Sequence, residues 1–76
     1  MKRADIRAKH AAGVLFDTQV IANPANTREW IVLFKKGAGT SYFLVDDQEQ
    51  VESFADLNSL IEELRQLGIK RAEIYI

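Results

Sequence analysis

Cysteine is absent from this 76-residue chain, which excludes disulfides and thiolate-bound metal and fits a cytoplasmic protein. Histidine occurs once, at His10, so a structural zinc site built from several histidines cannot form. No apolar run approaches the roughly 20 residues a membrane-spanning helix needs. The basic start at Lys2 and Arg3 leads into no long apolar segment, so neither a membrane span nor a signal peptide is expected. Charge of one sign is not in excess either. The formal net charge of -1 provides no broad field for binding phosphate.

What is present is the material of one ordinary globular domain, with 47% hydrophobic and 28% charged residues. The near-neutral total hides an asymmetry. Lys2, Arg3, Arg7 and Lys9 outweigh Asp5 at the start, whereas Asp46, Asp47, Glu49, Glu52, Asp56, Glu62 and Glu63 dominate the later half. Such polarity is either a solvated surface or a means of orienting partners.

Residues 1–12 are charged and alanine-containing, and form a basic arm or a short helix that needs docking to be stable. Residues 13–76 make the domain proper. Val14 to Ala22 reads as a strand with Val14, Phe16, Val20 and Ala22 on one face, interrupted by Thr18. Asp17 and Gln19 on the other face suggest a partly wet, edge-like strand. Asn23-Pro24-Ala25-Asn26-Thr27 is a turn by composition.

The most informative stretch follows, Arg28 to Asp47, a β-hairpin apolar on both faces. Trp30, Val32 and Phe34 alternate with Ile31 and Leu33, and Tyr42 and Leu44 alternate with Phe43 and Val45. A sheet with one wet face would alternate apolar with polar, so both faces call for cover. The turn Lys36–Thr40 between the strands contains two glycines that supply positive φ at little cost. Gln50 to Phe54 is a candidate short fourth strand.

Leu57, Leu60, Ile61, Leu64 and Leu67 recur at helical spacing. Asp56 is placed to cap this helix at its start, and Gly68 followed by Ile69 to stop it. Lys70 to Ile76 closes the chain as a strand, with Ala72, Ile74 and Ile76 toward the core. A strand-helix-strand return places that strand parallel to an earlier one, inside the sheet. The expected fold is a small two-layer α+β domain of order β-β-β-(β)-α-β. Its sheet of four to five strands is mainly antiparallel, with one amphipathic helix on one face.

Little in the chain points to chemistry. A Ser-His-Asp arrangement needs a positioned base beside a nucleophile, and His10 lies in the least structured segment. Asp46, Asp47, Glu49 and Glu52 lack the spacing and central glycine of a calcium loop. Lys35-Lys36-Gly37-Ala38-Gly39-Thr40-Ser41 has its lysines before the glycines and leads into no helix, so it reads as a turn and not a phosphate cradle. No catalytic, cofactor or metal residue is expected.

Two binding readings remain. The first is a non-enzymatic protein-interaction module, a homodimer or a partner of another protein, with Trp30, Phe34, Tyr42 and Tyr75 as aromatic anchors. The second is a nucleic-acid binder using Lys35, Lys36, Lys70 and Arg71 with Arg3 and Arg7 of the arm.

The pattern EWIVLFKKGAGTSYFLVDD followed by FADLNSLIEELRQLGIKRAEIYI resembles small accessory proteins of plasmids and integrative elements, including partition-associated ones. The resemblance covers residues 28 to 76 and rests on a tryptophan strand, a glycine hairpin, an F-x-x-L helix start and an L-x-x-L-G-I helix exit. It implies a non-enzymatic role in maintenance or transfer of a mobile element and carries over no site residues.

Overall fold

The computed structural model describes residues 1–37 and 39–76; Ala38, within the glycine turn, lies outside them. The elements are α1 (Arg3–Ala11), β1 (Asp17–Asn23), β2 (Asn26–Lys36), β3 (Thr40–Phe43), α2 (Leu57–Gln66) and β4 (Glu73–Ile74). The four strands form one sheet in the order β3-β2-β1-β4, with β1, β2 and β3 antiparallel and β4 parallel to β1. This is a small two-layer α+β fold.

Register assigns the faces. Thr18 pairs with Phe34, Val20 with Val32 and Ala22 with Trp30, and Phe34 pairs on its other side with Tyr42. This even-numbered face carries the core. Val20, Val32, Phe34 and Leu44 are buried there together with Ile6 of α1 and Leu60, Leu64 and Leu67 from α2 and its cap. Phe16 meets Phe34 edge to face, ring centroids 5.8 Å apart.

The helix α2 is built as its sequence implies. Asp56 accepts the Asn58 amide at 3.3 Å and the Ser59 hydroxyl at 3.0 Å, satisfying donors at the helix start. At the other end Gly68 adopts φ +86, the Ile69 amide donates to the Leu64 carbonyl and the Gly68 amide to that of Arg65. These two bonds are the Schellman stop.

Several expectations change. Of the two readings of residues 1–12, an arm or a short helix, the structure has the helix, α1, so the sheet carries two helices where one amphipathic helix was expected. A nine-residue helix is marginal alone; Ile6, fully buried, anchors this one. The Asp5 carboxylate also accepts the Lys2 amide at 3.1 Å. Residues 50–54 form no strand, only isolated bridges Val45↔Val51 and Trp30↔Phe54. The first strand starts at Asp17 rather than Val14, and lies inside the sheet between β2 and β4 rather than at its edge. The closing strand is two residues long and occupies an edge, parallel to β1. Only Ala72 of its expected inward residues packs on the core, while Ile74 and Ile76 are exposed. A strand this short spans too little of the sheet to carry its alternation into the core.

Phe34→Ala should lower the unfolding free energy by about 3–5 kcal/mol, the cost of a large cavity. Gly68→Ala should cost at least about 1 kcal/mol, because the position is left-handed and the new Cβ would lie 3.0 Å from the His10 ring. Urea titration reads both. A Gly68→Ala chain as stable as its parent would show that the helix stop is not conformationally constrained.

Candidate interaction surface

Odd-numbered residues of the strands make the second face. Asp17 pairs with Lys35 and Lys35 with Ser41; Gln19 pairs with Leu33 and Leu33 with Phe43; Ile21 pairs with Ile31. Side chains alternate, so Ile21, Ile31, Leu33 and Phe43 lie together on the side away from both helices. Val45 and Val51, joined by their bridge, extend the patch. No helix or strand among the described residues lies over it. The face forms an open groove of about 470 Å³ between the Pro24–Ala25 turn and Gln50–Val51, with Ile21, Ile31 and Phe43 along its floor. Phe43 is 41% exposed and Val51 45% exposed, whereas Ile31 at 3% is closed in by its neighbours on the same face. Phe43 and Val51, exposed beside the half-buried Ile21 and Leu33, make an apolar surface of the kind that marks interaction sites.

Polar residues rim the patch. At one end stand Asp17, Lys35 and Ser41 in one cross-strand row. At the other, the Ser53 hydroxyl donates to the Glu29 carboxylate at 2.9 Å and accepts from the Asn23 amide at 3.0 Å. Along the β4 side the Tyr75 hydroxyl donates to Glu73 at 2.9 Å. That bond, followed by the Coulombic effect of the same carboxylate, raises the Tyr75 phenol above its ordinary value, because the neutral phenol is the form that donates.

The aromatic anchors read from the sequence fall on different surfaces. Phe34 is wholly buried on the helix side and is a core residue, which corrects its assignment to an interface. Trp30 faces the same way, half-buried against the core. Tyr42, Phe34's cross-strand partner, belongs to that face too, though it is exposed at the β3 edge. Tyr75 is exposed beside Glu73 at the opposite edge. The residues that do converge on the bare face are the other set of the alternation, Ile21, Ile31, Leu33, Phe43 and Val51. The signal that names them is their parity, once it is known which parity the helices cover.

The cations also separate. Arg3 is held in a clamp: its Nε donates to Glu63 of α2, and its Nη2 donates to Glu52 at 2.8 Å. Desolvation opposes its charge, but the hydrogen bonds and attraction from Glu52 and Glu63 outweigh it and raise its pKa. Arg3 therefore ties α1 to α2 and to the 45–54 segment, its charge engaged by Glu52 and Glu63 within the domain. Arg7 is exposed on α1. Lys35 and Lys36 end β2 opposite the start of β1, and Arg71 shares a polar cleft of about 140 Å³ with Asp17, Thr18 and Glu73. Lys70 and Arg71 also line a cleft with His10, Leu15 and Gly68. The hairpin-tip lysines and the Lys70–Arg71 pair thus occupy one end of the sheet, with Asp17 and Glu73 set among them.

The acidic turn does not gather into a cation site. The Asp46 carboxylate accepts the amides of Gln48 and Gln50 at 2.9 and 3.0 Å, while Glu52 points to Arg3. Among the described residues no group of three or more potential metal ligands converges, and no helix is long and apolar enough to cross a membrane. No known protein family, curated protein or solved structure matches the chain.

Arg3→Ala should destabilise the fold by about 1–2 kcal/mol, since it leaves two half-buried carboxylates without their partner; thermal unfolding at low and high salt measures it. In a Tyr42→Phe background, Glu73→Gln should move the Tyr75 phenol titration to lower pH, read by absorbance at alkaline pH. An unmoved titration would show that the Glu73 contact does not persist in solution.

Proposed function

We propose that this chain is a non-enzymatic interaction module that self-associates through the bare face of its sheet. The observation that carries the reading is that α1 and α2 lie on the same side, so that no element among the described residues covers the apolar odd-numbered face of β1, β2 and β3. Burying one large apolar side chain stabilises by roughly 1.5–3 kcal/mol. A domain with a net stability of about 5–15 kcal/mol gains substantially if several such groups are covered at once. A second copy can cover them through one two-fold contact that uses the same patch twice. The wider role we attach to the module, accessory function in maintaining a mobile element, is supported by the sequence resemblance across residues 28 to 76.

A second reading, nucleic-acid binding, is favoured by one observation. Lys35, Lys36, Lys70 and Arg71 gather at one end of the sheet, and among the described residues none of them is in an ion pair. Asp17 and Glu73 within that cluster weaken its field, so we rank it second.

Light scattering across a dilution series should give twice the chain mass at high concentration, falling toward the single-chain mass on dilution. Phe43→Asp should hold the protein at the single-chain mass throughout. A parent chain that is monomeric at every concentration overturns self-association. For the second reading, labelled DNA should be retarded at low salt and released as salt rises; no retardation at low salt removes it.

A further inference from the structure

Strand β2 presents to the bare face, in order, Glu29, Ile31, Leu33 and Lys35: an acid, two apolar residues and a base. This stripe is complementary to itself when reversed. Turning a second copy about a two-fold axis that crosses the strands at Val32 lays Glu29 against Lys35 of that copy, brings Leu33 over its Ile31, which its own chain already buries, and sets Gln19 opposite its Ile21. The same rotation brings Phe43 toward Val45 and Val51 of the second copy, because Phe43 shares a row with Leu33. Resting on the self-association reading, the geometry points to a dimer of one definite arrangement. Two bare sheet faces stack with their strands antiparallel, and two symmetry-related Lys35–Glu29 pairs close the ends.

Four features support a second copy in this orientation. Packed sheets lie about 10 Å apart, a gap that extended lysine and glutamate side chains can bridge from opposite sides. Neither Lys35 nor Glu29 is in an ion pair within the chain among the described residues, and both are half-exposed at the rim. The Ser53 hydroxyl, itself accepting from Asn23, holds the Glu29 carboxylate in place at that rim. The net charge of -1 adds little long-range repulsion between copies.

The parallel-strand arrangement centred on β2 is disfavoured by the same residues, since it would set Lys35 against Lys35 and Glu29 against Glu29. Like charges placed opposite one another across an interface are costly.

Three chains and one mixture decide the matter, each read by light scattering and sedimentation velocity, with circular dichroism confirming the fold. Lys35→Glu and Glu29→Lys should each weaken the homodimer at least about tenfold, since each places like charges together at two symmetric positions. Mixing the two variants should restore a dimer, of one chain of each kind, near parental affinity. In that mixed dimer the introduced acid at position 35 faces the introduced base at position 29, and the unchanged Glu29 of one chain faces the unchanged Lys35 of the other. Phe43→Asp should abolish association in every combination. A dimer lost with Phe43→Asp but indifferent to both charge reversals, or two weakened variants whose mixture stays monomeric, overturns the orientation and leaves the face intact as the contact. A parental dimer that survives Phe43→Asp, or no dimer at all, overturns the use of the face itself.

Discussion

One strand sets the terms for the whole molecule. β2 is apolar on both sides, with Val32 and Phe34 toward the helices and Ile31 and Leu33 away from them. A strand of this kind is stable only between two layers, because leaving either side wet forfeits the burial that stabilises it. Among the described residues the chain has two short helices, and both are committed to one side. α1 reaches the core through Ile6, and α2 through Leu60 and Leu64 with Leu67 at its cap. The fold is therefore a sheet with both of its helices on one side.

The commitment of α1 to the helix side has visible causes. Its one large apolar residue enters the same cluster as α2, and Arg3 at its first turn is drawn to Glu63 on α2 and Glu52 beyond β3. Met1 adds backbone pairing, its amino group donating to the Phe43 carbonyl at 2.6 Å and its carbonyl accepting from the Val45 amide at 2.9 Å. These contacts hold α1 beside α2, on the side of the sheet opposite the Ile31 and Phe43 side chains. The charge of Arg3 is thus used inside the domain, and the cations left for long-range attraction are chiefly those at the hairpin tip and the approach to β4.

Much of this was legible residue by residue. Leu57 to Leu67 declared a helix through their spacing, and Asp56 and Gly68 declared its ends. The double apolar alternation of residues 30 to 34 declared a strand with two dry faces. Less legible were α1, whose stability comes from docking rather than from its own composition, and the last strand. There the pattern of Lys70 to Ile76 matched a strand, but only Glu73 and Ile74 pair with β1. Phe34 was misassigned as an anchor for a specific reason. Trp30 and Phe34 are larger than Ile31 and Leu33, yet size says nothing about which parity the helices will choose.

The amino-acid sequence by itself determined that β1, β2 and β3 are strands and α2 a helix, the caps of α2, and the two apolar sides of β2. Those depend on periods of two and about 3.6 and on local hydrogen bonding, which neighbours along the chain settle. Only the tertiary structure decided which face of the sheet is covered and which cations are neutralised. It also decided that Glu29 and Lys35 stand at opposite ends of one bare stripe. Those depend on where α1 docks and on cross-strand register, both set by contacts between residues far apart in the chain, such as Arg3 with Glu52 and Glu63.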